Sequence, residues 1–283
     1  MNLLQAFFLG VLQGATEFLP VSSSGHLVLV PWLLRWQSPG LAFDTVVHWG
    51  TALAVIVYFW EEWVQLVRGA FLSLGRVRFL RSSTASGAES GADETAGGSL
   101  AWLILLGTVP GVLLGYLLED FFESMFARPA AAASFLFVTA ILLAASERLG
   151  RHRRSLDELE WFDALIIGVG QALAIFPGIS RSGATIAAGL AREMEREPAA
   201  HFSFLLATPI ILGAGLLKVV ELAQMGGLEA QAPTLALGFV ASAVVGFVCV
   251  HLLLRYLQRR RLYPFAVYCA LFGLFSLVIW AVR

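Results

Sequence analysis

The chain has 283 residues, 58% of them hydrophobic and only 14% charged, with a mean hydropathy of +0.77 and a net charge of −1. These values lie outside the range of soluble globular domains. The arginines are gathered in clusters between apolar runs rather than spread over a solvated face, a pattern that reports membrane topology and not nucleic-acid binding.

The expected fold class is an all-α polytopic membrane protein, because a lipid-embedded chain must satisfy its backbone within helices or a closed barrel. The first apolar segment, 2–35, lacks the basic start of a signal peptide and is interrupted by Gln13, Glu17 and Pro20, so it reads as mature structure. A Pro/Gly/Ser cluster from Pro20 to Gly25 breaks it in the middle. Three spans follow at 43–60, 100–118 and 130–147, each long enough for a hydrocarbon core of about 30 Å. Residues 82–99, rich in Ser, Gly and Ala, cannot bury apolar surface and are expected to form a flexible cytoplasmic loop. A second broken apolar segment, 162–191, is interrupted from Pro177 to Gly183, and further spans lie at 202–220, 234–255 and 264–281. Cys249 and Cys269 fall within apolar runs and read as packed thiols, and no Cys/His spacing suits a metal.

The two broken segments are related. At an offset of 158, Gly10, Val11, Gln13, Phe18, Ser22, Ser24 and Gly25 match Gly168, Val169, Gln171, Phe176, Ser180, Ser182 and Gly183. That is seven of sixteen positions, against about one or two expected by chance, and it indicates an internal repeat. The single integral domain 1–283 then divides into a first repeat, 1–147, and a second, 160–283. Each repeat holds one broken hairpin and three spans, and because three is odd the second copy must be inverted. Arginine counts give the same orientation: the clusters Arg68–Arg81, Arg148–Arg154 and Arg255–Arg261 all belong in the cytoplasm. Both breaks are therefore expected to be re-entrant, the first hairpin from the outer face and the second from the cytoplasmic face, meeting near the midplane.

The first break reads QGATEFLPVSSSGHL. Gln13 and Glu17 are four residues apart and share one helical face, where a carboxylate with an amide oxygen can hold a hard divalent cation. A buried carboxylate bonded only to the serine-rich loop is the structural alternative. Ser22, Ser23, Ser24 and Gly25 offer hydroxyls and amides at a helix start, suited to an anion or simply to N-capping. His26 can exchange protons near neutrality. The second break, PGISRSGAT, repeats the pattern as Ser180, Ser182, Gly183 and Thr185, with Arg181 in place of Ser23. A guanidinium there suits bidentate phosphate contacts, with an ion pair to Glu17 as the alternative. His48, His152, His201 and His251 read as structural, and Asp44 and Asp163 as capping or interfacial residues.

These two motifs resemble the signatures of the bacterial undecaprenyl-diphosphate phosphatases, the bacitracin-resistance protein family, and the likeness covers the whole chain. The resemblance implies hydrolysis of a polyprenyl diphosphate carrier to its monophosphate in the bacterial inner membrane, in support of peptidoglycan synthesis, and the outward opening of the first hairpin predicts that this occurs on the periplasmic or extracytoplasmic side. The resemblance also implies a divalent cation, Mg2+ or Ca2+, with Gln13 and Glu17 as the acidic motif, where many relatives carry two glutamates. His26 and Ser23 then form the catalytic loop, while Arg181, Ser180, Ser182 and Thr185 form the phosphate loop. Ser23 is expected to attack phosphorus with His26 assisting proton transfer, and direct attack by water is the competing route. The lipid and the bilayer are the expected partners, with a second copy of the chain as a further candidate. A lipid-phosphate transporter or flippase is the rival, because inverted repeats with broken helices also build transporters.

Overall fold

The computed structural model describes residues 1–79, 91–225 and 228–283. Among them lie twelve α-helices and one 3₁₀ turn, with no strand. Six helices are long and apolar enough to cross a membrane: α3 (Leu41–Tyr58), Gly98–Leu117 within α5 (Gly91–Leu117), α7 (Pro129–Leu149), Arg196–Lys218 within α10 (Arg196–Met225), Gln231–Leu257 within α11 (Leu228–Leu257), and α12 (Tyr263–Val282). These are the six expected spans, and the chain is a multi-pass membrane protein.

The two broken segments each form a pair of short helices. α1 (Leu3–Phe18) begins with a capping box between Asn2 and Gln5 and stops at Leu19, whose φ of −60° and ψ of 134° are the extended values favoured before a proline. After Pro20 the chain turns into α2 (Ser23–Leu33), whose N-cap Ser22 accepts from the Gly25 N–H. In the second copy α8 (Trp161–Leu173) and α9 (Arg181–Ala191) flank the break, and N-cap Ser180 accepts from the Gly183 N–H.

Packing crosses between the two halves of the chain. α1 lies along α11 and α8 along α5, so each broken segment rests on the second span of the other half; α3 packs on α10 and α7 on α12. The crossings are backbone-close. A Cβ on Gly10 would meet the Gly238 carbonyl oxygen at 2.6 Å, and one on its repeat mate Gly168 would collide with the Gly107 carbonyl. Such close approach is how apolar helices gain contact where no hydrophobic force distinguishes lipid from protein.

Ion pairs fasten one end of the bundle. Glu147, at the end of α7, accepts from the Arg196 guanidinium and from the Leu262 N–H (3.2 Å) at the foot of α12. Asp163 caps α8 and takes Arg154 at 2.8 Å and Arg192 at 2.5 Å, with its own side chain fully buried. At the opposite end of α12, Arg283 donates to the Trp32 and Leu33 carbonyls (3.0 and 2.9 Å) at the end of α2. The open ends of the two broken segments thus lie at opposite ends of α12.

Three stretches differ from expectation. The basic stretch after the first span is not a loop: residues 60–79 form α4 (Trp60–Phe79), which packs on α5. Of the expected loop 82–99, residues 82–90 lie outside the described residues, and 91–99 open α5 as helix. Extending a nucleated helix fixes one residue per hydrogen bond, so an apolar span can carry a polar turn beyond its apolar part. The stretch after the second span includes a short helix, α6 (Glu119–Phe126). Pro110 and Pro209 sit within α5 and α10 without ending them.

Candidate active site

Glu17 is the hub on which both broken segments converge. It sits on the last turn of α1, its side chain 3% exposed, and Gln13 one turn earlier donates to its Oε2 at 2.8 Å. Because the chain doubles back after Pro20, Ser23 at the start of α2 also donates to Oε2. From the other half, Arg181 at the start of α9 donates to Oε1 through Nη2, and its Nη1 reaches the Ala207 carbonyl of α10 at 3.3 Å. Arg181 and Glu17 thus form a close ion pair. His48 on α3 is the fifth member: its Nδ1 donates to the Asp44 carbonyl (2.6 Å) and its Nε2 lies 3.6 Å from Glu17 Oε2. Its side chain is 29% exposed and that of Arg181 19%, so the hub is open on the side these two line.

The second loop is braced from α7. Thr139 Oγ1 donates to the Gly178 carbonyl and accepts from the Ser180 N–H, both at 2.9 Å. Gly178 has φ +102°, a conformation that favours glycine, and it presses on the α7 backbone at Ala132. The two loops touch each other: a Cβ on Gly25 would lie 3.1 Å from the Gly178 Cα, and Ser182 Oγ donates to the Leu19 carbonyl at 3.3 Å. The starts of α2 and α9 therefore meet, bringing Ser22, Ser24, Gly25, Ser180, Ser182 and Gly183 together with Ser23 and Arg181. Exposed amides at paired helix starts favour an anion. Thr185 does not join them, since its hydroxyl donates to the Arg181 carbonyl (2.7 Å) and pairs with Ser203 at 2.6 Å.

His26 faces α12 rather than Glu17. Its Nδ1 meets the Ser22 carbonyl and its Nε2 the Tyr268 hydroxyl of α12, both at 2.7 Å, and its ring stacks on Phe272 with centroids 4.7 Å apart. Ser23 is hydrogen-bonded to Glu17 and not to His26, whose imidazole is held toward α12 by aromatic stacking and the Tyr268 hydroxyl. His48, assigned a structural role from sequence, is instead a member of the site. Its only local signal was an imidazole and Asp44 four residues apart on an apolar helix; Thr139 and Tyr268, each inside an unbroken span, gave none.

The residues as arranged do not fit a divalent cation. The hub has one carboxylate, with a guanidinium on one oxygen and two donors on the other, and the one oxygen it offers without a partner is the buried Gln13 Oε1. Among the described residues no group of three His, Cys, Asp or Glu side chains could hold a metal.

Residues 6–275 match the family described as bacitracin resistance protein BacA. The chain belongs to this family. Undecaprenyl-diphosphatases of Desulforudis audaxviator and Geobacter metallireducens are 41% and 43% identical to it, over the whole of both chains in the first case and 96% of each in the second. One from Methanosphaera stadtmanae is 40% identical over 99% of this chain and 98% of its own. The match to the BacA family spans both broken segments, so every side chain on the Glu17 hub lies inside it.

Proposed function

We propose that this chain is a membrane-embedded undecaprenyl-diphosphate phosphatase, converting the diphosphate to undecaprenyl phosphate and inorganic phosphate. That reaction recycles the lipid carrier for peptidoglycan synthesis and gives resistance to bacitracin. The observation that carries the reading is the convergence of Ser23 and Arg181, from separate halves of the chain, on the two oxygens of Glu17. A nucleophile, an acceptor for its proton and a phosphate-binding cation lie within one hydrogen-bonded group.

In the resting site Arg181 is held by Glu17. A diphosphate competes for the guanidinium, which suits phosphate oxygens in bidentate geometry, and the loop amides take further oxygens. Charge stabilisation and positioning supply most of the catalysis in phosphoryl transfer. With Arg181 drawn to the phosphate, the Glu17 carboxylate loses its countercharge, becomes more basic and accepts the Ser23 proton on Oε2 as Oγ bonds to the terminal phosphorus. The bond from that phosphorus to the bridging oxygen breaks, and polyprenyl phosphate leaves. Water then attacks the phosphoserine, the Oγ–phosphorus bond breaks as Glu17 returns its proton to Ser23 Oγ, and both water hydrogens leave on the inorganic phosphate as H2PO4−. The family's divalent cation has no step here, because the donor set does not fit it.

The segments α1–α2 and α8–α9 act as re-entrant hairpins of an inverted repeat in the bacterial inner membrane, with the site open to the extracytoplasmic side. The offset-158 pattern, the arginine distribution and the position of the hairpin ends at opposite ends of α12 support this. Phosphate release from undecaprenyl diphosphate by purified protein tests the function. Wild-type release, lost in Arg181→Ala and accompanied by a trapped phosphoserine at Ser23, is the expected result. No release, with ligand-driven alternating access instead, would overturn it in favour of a transporter.

A further inference from the structure

Ser22 stands apart among the residues of the two loops. Its φ of 71° and ψ of 93° lie outside the regions a side-chain-bearing residue ordinarily adopts, whereas its repeat mate Ser180 has an ordinary φ of −70° and ψ of 122°. A residue in such a conformation persists only where its surroundings over-determine it. Ser22 is held at both its side chain and its carbonyl: its Oγ accepts from the Gly25 N–H at 3.2 Å and pairs with Ser24 Oγ at 3.3 Å, and its carbonyl accepts from the His26 backbone N–H at 3.1 Å and faces His26 Nδ1 at 2.7 Å.

A carbonyl oxygen can only accept, so Nδ1 must carry the hydrogen. In the neutral ring this leaves Nε2 as an acceptor, and the group opposite it is the Tyr268 hydroxyl at 2.7 Å. The second nitrogen's partner fixes which nitrogen of an imidazole is protonated. The Tyr268 ring lies nearly parallel to the imidazole, at 5.7 Å and 5°, and Phe272 stacks at 4.7 Å, so the orientation is fixed as well as the tautomer. The imidazole is 1% exposed and both its nitrogens are committed.

Ser23 is the next residue along the chain, and where its Oγ points depends on the conformation of Ser22. We propose that Tyr268 is a positioning residue: through its hydroxyl it holds His26 in the Nδ1–H form, His26 holds the Ser22 carbonyl, and the Ser22 backbone aims Ser23 at Glu17. Tyr268 belongs to the last helix of the second half and Ser23 to the first broken segment of the first, so α12 adjusts a nucleophile more than two hundred residues upstream. The inference rests on the phosphatase reading of the site. His26 acts here by holding the loop rather than by taking the Ser23 proton.

The test is Tyr268→Phe in the full-length protein in detergent, which keeps the ring and removes the hydroxyl. Steady-state release of phosphate from undecaprenyl diphosphate should show kcat lowered by about 10- to 100-fold with KM within about twofold, as expected for a misaimed nucleophile with its phosphate site intact. Nitrogen-15 NMR of histidine-labelled protein should show His26 as a single Nδ1–H tautomer in the wild type and as a mixture in Tyr268→Phe. A thermal unfolding midpoint like that of the wild type establishes that the variant is folded; if it unfolds instead, the His26 nitrogen-15 signals of wild-type protein alone carry the test, and an Nε2–H tautomer there overturns the proposal. Unchanged kcat, or a fall in kcat with the His26 signals unmoved, also overturns it. If wild-type protein releases no phosphate, the phosphatase reading falls and takes the catalytic claim with it; release by the wild type with an indifferent Tyr268→Phe sinks only the positioning claim.

Discussion

The two loops that meet at Glu17 share a Ser-x-Ser-Gly pattern, yet they are held in different ways and contribute different chemistry. The second follows ordinary backbone geometry into α9, is braced by Thr139 of α7, and delivers a fixed positive charge in Arg181. The first passes through an unusual backbone conformation at Ser22, is held by an imidazole leaning on α12, and delivers a hydroxyl beside a carboxylate. On the proposed reading the two loops divide the labour: the one with ordinary backbone geometry binds and the strained one reacts. Strain stored where the chemistry occurs is a common arrangement, because it lets a fold hold a group where a relaxed chain would not.

Several substitutions would break or sharpen that contrast. The largest effect belongs to the reacting copy: Ser23→Ala should lower phosphate release by about 1,000-fold or more while leaving substrate binding measurable, since the residual rate then comes from binding and electrostatics alone. A variant retaining full turnover would transfer the attack to water. On the binding copy, Arg181→Lys keeps the charge but loses the planar fork, and should cost about 10- to 100-fold, with much of the loss in KM. An equal fall in kcat at constant KM would mean that Arg181 acts only in the transition state. Thr139→Val removes both hydrogen bonds that brace the second loop and leaves a buried carbonyl and amide unpaired, so chemical denaturation should show a loss of about 2–4 kcal/mol. A smaller effect is expected far from both loops. Glu147→Gln weakens the Arg196 and Leu262 attachments at the foot of α12, lowering the thermal midpoint while kcat stays near that of the wild type.

Much of this molecule is legible in its sequence, and the illegible parts have physical reasons. The six spans follow from apolar run length alone, and the breaks at Pro20 and Pro177 from the absence of a proline N–H. Glu17 and Arg181 stand out because charge in an apolar segment is costly. α4 was hidden because residues 60–79 mix charged and apolar side chains, as a loop does. Glu17 and His26 both lie within reach of Ser23 along the chain, and only the aromatic pocket of α12 turns the imidazole away and leaves the Ser23 hydrogen bond to Glu17. His48 owes its place in the site to the packing of α3 near α1, a property of tertiary structure whose only local trace is the spacing of Asp44 and His48 on an apolar helix.

The ion pair of Glu17 and Arg181 joins residues 164 positions apart, and that separation has a consequence for biosynthesis. Chains emerge from the ribosome and enter the membrane in order, with their N-terminal parts first. Glu17 is therefore made long before the residue that neutralises it. Until α9 arrives, the nascent protein carries a carboxylate with no countercharge in an apolar setting, and a truncated first half would carry it permanently. Closing the pair is then a late event in assembly, and it completes the electrostatics of the hub in the same step that completes the active site. A chain whose second half has failed to insert would be left recognisable to quality control by one unpaired charge.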